Sequence, residues 1–159
     1  MATEIERKYL VDTSRWQPSG PGVLYRQGYL SSAKERVVRV RIVGDRGFLT
    51  IKGITSGISR NEFEYAIPVQ DAAAMLDALC KRPLIEKTRY REPFAGRTWE
   101  IDVFHGDNDG LVVAEVELSN AADQIVLPPW AGPEVSGDPR YFNSNLVTSP
   151  YKNWAPRHA

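Results

Sequence analysis

Seven stretches of this chain set charged residues at alternate positions with apolar residues between them. Glu4-Ile5-Glu6-Arg7-Lys8-Tyr9 is the first. Arg39-Val40-Arg41, Thr50-Ile51-Lys52, Glu62-Phe63-Glu64, Lys87-Thr88-Arg89, Glu100-Ile101-Asp102 and Glu115-Val116-Glu117 follow. In a β-strand, residues i and i+2 project from one face and lie about 6.6–7 Å apart. Two glutamates at that spacing can converge on a hard cation at about 2.1 Å per oxygen. Arg-x-Arg at the same spacing can bracket neighbouring phosphates, because the guanidinium fork matches phosphate oxygens. Carboxylate pairs and Arg/Lys rows in one concavity suit a polyanion delivered with Mg²⁺ or Mn²⁺.

The elements that must position these residues are mostly strands. Residues 3–11 read as the first, and Leu24–Leu30 as a weaker one. Arg36–Val43 and Gly47–Lys52 form a hairpin around Gly44-Asp45-Arg46-Gly47. Asn61–Ile67 follows the turn at 57–59. The period then changes. Asp71 is the expected N-cap of a helix over 72–82 with an apolar stripe of Met75, Leu76 and Leu79, stopped by Pro83. Glu86–Arg91 and Thr98–Phe104 make a second pair, and Leu111–Leu118 is the last long strand. From Ser119 onward the chain reads as short helix and loop, with 141–147 helical and Tyr151–Trp154 a segment able to cover one end of the sheet. The expected fold is one α+β domain over 1–159 with about eight strands.

Charges are balanced, 20 basic against 20 acidic. A neutral total argues against general binding to nucleic acid or membrane surfaces. The opening Met-Ala-Thr-Glu-Ile-Glu-Arg has no apolar run, and no stretch is long enough to span a bilayer. The single cysteine, Cys80, excludes an internal disulfide and reads as packing, with cytoplasm the expected compartment. His105 reads as a turn residue, His158 as tail, Trp99 and Tyr90 as packing residues, and Arg7 and Arg60 as outer-surface or rim residues.

Two geometries fit the alternation. The charged faces can meet bulk water over an ordinary core. Alternatively the sheet closes into a barrel with charges inside and apolar residues such as Val40, Phe63 and Val116 outside. Sorting of the signs favours the second. Acidic pairs (Glu4/Glu6, Glu62/Glu64, Glu100/Asp102, Glu115/Glu117) and basic pairs (Arg39/Arg41, Lys87/Arg89) occupy different strands, whereas solubility needs only interspersed signs. Each unpaired buried ion costs several kcal/mol, so an enclosed charged face must be wet and must bind ions.

The motif Glu4-Ile5-Glu6-Arg7-Lys8 resembles the Glu-x-Glu-x-Lys signature of the CYTH superfamily, the triphosphate tunnel metalloenzymes. The likeness runs on through Arg39-Val40-Arg41, Thr50-Ile51-Lys52-Gly53, Glu62-Phe63-Glu64-Tyr65, Lys87-Thr88-Arg89-Tyr90, Trp99-Glu100-Ile101-Asp102 and Ala114-Glu115-Val116-Glu117. Asp138-Pro139-Arg140-Tyr141 and Asn145-Leu146 look like its short bacterial branch. The resemblance implies an eight-stranded antiparallel β-barrel, a tunnel with a charged interior and helices packed outside. It implies metal-dependent hydrolysis of a triphosphate, inorganic triphosphate above all. Cyclisation of ATP in the manner of class IV adenylate cyclases, hydrolysis of thiamine or nucleoside triphosphates, and non-catalytic polyphosphate binding are the competing activities.

Carried onto this sequence, Glu4, Glu6, Glu115 and Glu117 are the expected metal ligands, with Asp102, Glu62 and Glu64 as partners or supports. Lys8, Arg39, Arg41, Lys52, Lys87 and Arg89 are expected to hold phosphate oxygens. A third arginine that extends the Arg-x-Arg row in some members is replaced here by Val43. Tyr29, in Gln27-Gly28-Tyr29-Leu30, resembles the family's proton-accepting tyrosine, with Lys8 nearby to assist it. Lys8 is also a candidate proton donor to the leaving phosphate. The partner expected is a small triphosphate, and a homodimer is left open.

Overall fold

A computed structural model describes residues 3–154; His158 and the end of the 151–159 tail lie outside the described residues. The strands run β1 (Thr3–Val11), β2 (Val23–Ala33), β3 (Arg36–Val43), β4 (Arg46–Gly53), β5 (Ser59–Ile67), β6 (Ile85–Phe94), β7 (Arg97–Phe104), β8 (Val112–Glu117) and β9 (Ala131–Glu134). Helix α1 spans Val69–Ala78 and the one-turn helix α2 spans Asn143–Leu146. Hydrogen-bonded neighbours follow the order β5-β4-β3-β2-β6-β7-β8-β1, all antiparallel. Pairing of Thr3–Ile5 with Ser59–Asn61 joins β1 to β5 and closes the sheet into an eight-stranded barrel.

That closing seam is short. Beyond Ile5 the free edge of β1 takes up β9 instead, with Tyr9 opposite Glu134 and Val11 opposite Ala131. The ninth strand corrects the expectation of only helix and loop after Ser119. Ala131-Gly132-Pro133-Glu134 carries no alternating pattern; it is a strand because β1 outruns β5 and its exposed N–H and C=O groups need partners.

The β3–β4 hairpin turns on Gly44 and Asp45 alone, since Arg46 already pairs with Val43. Gly44 has φ of 61°, the left-handed conformation that a two-residue hairpin turn requires.

Register sends the charged alternates inward and the apolar ones outward. The apolar outer face is buried in two places. Over β3 and β4, Val40 packs with Ala72, Leu76 and Cys80 of and beside α1. The helix approaches so closely that a Cβ on Gly47 would sit 2.9 Å from that of Ala72. Around β1, β7 and β8, Tyr9, Trp99, Ile101, Ala114, Val116 and Leu118 are covered by Trp16 and Trp130 from irregular chain. Trp99 lies 5.6 Å from Tyr9 and 5.5 Å from Trp130, and Tyr90 meets Trp16 at 5.4 Å. The outer cover is thus one helix plus loops, fewer helices than expected. Phe63 stays on the outside, 36% exposed.

Helix α1 also corrects its expected boundaries. It starts after Pro68, with Asp71 in the first turn instead of at the cap, and ends at Ala78. Ala72 and Leu76 face the sheet one turn apart. Leu79 caps the end of the helix with an unhelical φ of −120° and is 65% exposed.

One end of the barrel interior is apolar. Tyr29, Val37, Ile85, Phe104 and Val113 pack there with Tyr141, Leu146 and Val147 from the C-terminal segment. Tyr151 and Trp154 pack against this cluster, and Trp154 meets Tyr141 at 5.1 Å. The backbone N–H of Tyr151 donates to Asn108 Oδ1 at 2.8 Å, which pins the segment across that end.

Candidate active site: a charged tunnel

The barrel encloses a cavity of about 500 Å³. Of the expected site residues, Glu4, Glu6, Lys8, Tyr29, Arg39, Arg41, Lys52, Glu62, Glu64, Lys87, Arg89, Glu115 and Glu117 line it. Asp102 lies just behind this lining and is fully buried. Cross-strand register explains the convergence, because directly paired residues share a face. Glu6 stands opposite Glu117, and Lys8 opposite Glu115. Arg39 stands opposite Thr50, and Lys52 opposite Glu62. Arg89 stands opposite Asp102, and Glu100 opposite Glu115.

The carboxylates crowd one another. Glu4 is lifted from 4.5 to about 7 by burial, by a hydrogen bond shared with Glu62 and by the charges of Glu62 and Glu115, against the pull of Lys52. Burial also works on Glu62, but the bond from Glu4 and the charges of Lys52 and Arg39 win and hold it below the usual range. Glu6 is pushed well up by burial and by the negative charges of Glu115 and Glu4. Burial opposes ionisation of Glu115 too, yet Lys8, Arg89 and Lys87 keep it well below the usual range. In each pair, Glu4–Glu62 and Glu6–Glu115, one carboxyl is therefore pushed up and its neighbour held down. Among the described residues no three acidic, His or Cys side chains form a ready-made metal cage. Crowded carboxyls that raise one another's pKa are nonetheless a donor set a hard divalent cation fits, since the cation relieves their repulsion.

The cations divide into partnered and unpartnered groups. Lys52 Nζ lies 3.4 Å from Glu4 and 3.6 Å from Glu62. Lys8 Nζ lies 3.6 Å from Glu115 and donates to the carbonyl of Tyr141 at 3.1 Å. Burial works against the charge on Lys8, but Glu115, Glu6, Asp102 and Glu4 raise it above its ordinary value. Asp102 accepts two bonds from Arg89, at 2.7 and 2.9 Å, and lies 2.7 Å from Lys87 Nζ. Despite burial, these cations hold its carboxyl down at about 2. Lys87 is pushed down to about 7, because burial and the charges of Arg89 and Arg41 outweigh Asp102.

Arg39 and Arg41 are different. Both are buried, and among the described residues neither has a carboxylate partner. Arg39 reaches only Thr50 Oγ1, at 3.1 Å, and its Nε has no hydrogen-bond partner. Arg41 donates from Nε to Gln27 Oε1 at 3.0 Å, with the ring of Tyr25 4.9 Å away. Burial and the neighbouring Arg39 and Arg89 push it down to about 9, still charged at neutral pH.

Several lining residues were not expected from sequence. Arg60, read as an outer or rim residue, lines the cavity opposite Glu4. Its place two residues before Glu62 put it on the inward face, a signal the alternation already contained. Asn143, which also lines the cavity, had no such signal, being neutral; Gln27 lies fully buried behind the lining. His105 stays exposed in its turn, with Nε2 2.7 Å from Thr88 Oγ1. Tyr29 Oη accepts from Gln27 Nε2 at 3.1 Å.

A closed antiparallel barrel with a carboxylate cluster and buried arginines inside is the arrangement of the CYTH domain, and the chain belongs to that family: the family model matches residues 2–148. Triphosphatases of this family are metal-dependent. Among relatives, the chain is 52% identical over 154 residues to an inorganic triphosphatase of Acetivibrio thermocellus, covering 97% of this chain and 99% of the relative. It is 40% identical over 153 residues to an inorganic triphosphatase of Nitrosomonas europaea, covering 92% and 98%. The crystal structure of the inorganic triphosphatase NE1496 matches with a TM-score of 0.65 and 37% identity, covering 92% of this chain and 95% of that one.

Proposed function

We propose that this chain hydrolyses inorganic triphosphate with a divalent cation, Mg²⁺ or Mn²⁺. One observation carries the reading. The cavity holds complementary unmet charges: two buried arginines with no carboxylate partner among the described residues, and a crowd of glutamates (Glu4, Glu6, Glu62, Glu115) that oppose one another's ionisation. Either half alone is costly. A polyanion together with a cation satisfies both, and the 37–52% identical triphosphatases point to the same chemistry.

In this reading Glu4, Glu6, Glu115 and Glu117 hold the cation, with Glu62 and Glu64 beside them. The cation, when bound, supplies Lewis-acid polarisation of phosphate oxygens and a more acidic water. Asp102 belongs to the cation grip instead, since its oxygens are engaged by Arg89 and Lys87. Arg39, Arg41, Lys52, Lys87, Arg89 and Lys8 neutralise the charge spread over the transferring phosphoryl group, where positioning and electrostatics do most of the catalysis. Tyr29 Oη accepts from Gln27, which leaves its own O–H directed to other acceptors. The C-terminal segment covers one end of the barrel, and partial burial there strengthens these interactions.

The test is a phosphate-release panel over tripolyphosphate, ATP, thiamine triphosphate and pyrophosphate with Mg²⁺ and Mn²⁺ compared. Tripolyphosphate is expected to turn over fastest, and only with metal. Cyclic AMP and pyrophosphate as the main products from ATP would overturn the reading.

A further inference from the structure

Three neutral residues in and behind the tunnel wall, Gln27, Tyr29 and Asn143, form one connected unit. Asn143, the first residue of α2, accepts through Oδ1 from Lys87 Nζ at 2.9 Å and from Gln27 Nε2 at 3.1 Å. Gln27 donates its other N–H to Tyr29 Oη at 3.1 Å and accepts from Arg41 Nε at 3.0 Å. Gln27 is fully buried, and its oxygen and both N–H groups are engaged.

The orientation of both amides is dictated by the cations at the ends. Arg41 is a donor only, and Lys87 Nζ, 2.7 Å from the carboxylate of Asp102, is held there as a donor. Asn143 must therefore present its oxygen to Lys87, and Gln27 must present its oxygen to Arg41. The NH₂ of Gln27 is then aimed at Asn143 and Tyr29. A reversed amide at either position would set donor against donor in a buried site, which costs the full desolvation of the unmet groups. Lys87 is gripped from two sides, by Asp102 at 2.7 Å and by Asn143, which leaves one N–H of its ammonium for a phosphate oxygen. Arg41 is anchored at Nε, which leaves the Nη end of its fork.

We propose that Asn143 is a positioning residue: with Gln27 it forms an amide bridge from α2 to β2 that aims Lys87 and Arg41 at the substrate. The catalytic part of this inference rests on the triphosphate reading; the bridge itself does not. The flexible lysine stem has no geometry of its own. Without Asn143, Lys87 is held by Asp102 alone and Gln27 is free to turn. Overall anion affinity, shared among six cations, changes little, whereas alignment with the reacting phosphoryl group is lost. A merely structural Asn143, docking the C-terminal segment, has no reason to act through Gln27.

The experiment compares Asn143→Ala, Gln27→Met and the double variant on tripolyphosphate. Each single change is expected to lower kcat by about 10- to 100-fold, the scale of a lost bond to a charged group and of a misplacement near 1 Å. KM stays within about threefold. Because the two act as one unit, the double variant loses no more than about twofold beyond the worse single. In the substrate-free protein, the NMR signals of the Gln27 side-chain NH₂ shift in Asn143→Ala. If Asn143→Ala does not fold, Gln27→Met carries the kinetic test from the other end of the bridge. A kcat within about twofold of the parent, losses that multiply in the double variant, or unshifted Gln27 signals would each overturn the inference. If the parent releases no phosphate from tripolyphosphate, the functional reading falls instead, and the NMR shift alone decides the bridge.

Discussion

Glu4→Gln replaces a carboxyl that is protonated through much of the neutral range by an amide of the same shape. Burial, the hydrogen bond with Glu62 and the nearby negative charges raise Glu4 from 4.5 to about 7. A carboxyl raised in the folded state contributes its stability fully below the unfolded value and loses it as pH climbs through the folded one. At about 1.4 kcal/mol per tenfold change in acidity, the metal-free protein forfeits about 3 kcal/mol across that window. Glutamine does not titrate and avoids the loss. A chain of this size shifts Tm by about 2–4 °C per kcal/mol. In chelator at about pH 8.5, Glu4→Gln is therefore expected to melt about 6–12 °C above the parent, and near pH 5 the two melt together. Saturating Mg²⁺ reverses the order, because a ligand of the folded state stabilises only the chain that binds it. Phosphate release from tripolyphosphate drops by about 100-fold or more, the scale of a lost electrostatic contact in the transition state. The assay is differential scanning fluorimetry across pH with and without Mg²⁺, beside phosphate release. Parallel melting curves for the two proteins from pH 5 to 8.5, or full activity in Glu4→Gln, would refute the reasoning.

Other outcomes follow from the same charges. Arg39→Ala and Arg41→Ala each raise KM for tripolyphosphate about 10- to 100-fold, with melting temperature kept or increased because a buried, uncompensated cation has gone; unchanged KM and weak salt dependence would place both arginines away from the substrate. Asp102→Asn leaves Lys87 and Arg89 buried without their counter-ion and is expected to lose about 3–5 kcal/mol in urea denaturation. The contribution of Asp102 is present above about pH 4 and disappears as pH falls toward 2, so the variant and the parent converge in strong acid. Mg²⁺ binding near neutral pH is expected to release about one to two protons from Glu4 and Glu6, read by calorimetry in buffers of different ionisation enthalpy. Heat independent of buffer would mean that the cation does not displace those protons.

Most of the tunnel was legible because β-strand geometry is local. Once Glu4, Glu6 and Lys8 occupy one strand, the period of two puts them on one face whatever follows. The same rule placed Arg39 with Arg41, Lys87 with Arg89, and Glu115 with Glu117. Arg60 was equally available to it. Strand β9 was not, because 131–134 has no pattern of its own and pairs only where β1 extends past β5. The bounds of α1 were missed by a few residues, since it starts after Pro68 and ends at Ala78. Ending there leaves Leu79 outside the helix and in solvent.

The amino-acid order by itself determined which residues could share a face, and the sorting of acid from base strand by strand implied a wet, ion-binding interior. Which charges neutralise one another was decided only by closure of the barrel. Asp102 and Glu100 are equivalent in the alternation, yet Asp102 is fully buried between Lys87 and Arg89 while Glu100 lines the cavity. Among the described residues Arg39 and Arg41 remain without a carboxylate partner for the same reason, although the chain carries equal numbers of both signs. The Gln27–Asn143 contact spans 116 positions of sequence. Interactions that fall off within a few ångströms depend on which strands become neighbours, and that is a property of the closed sheet, not of any segment within it.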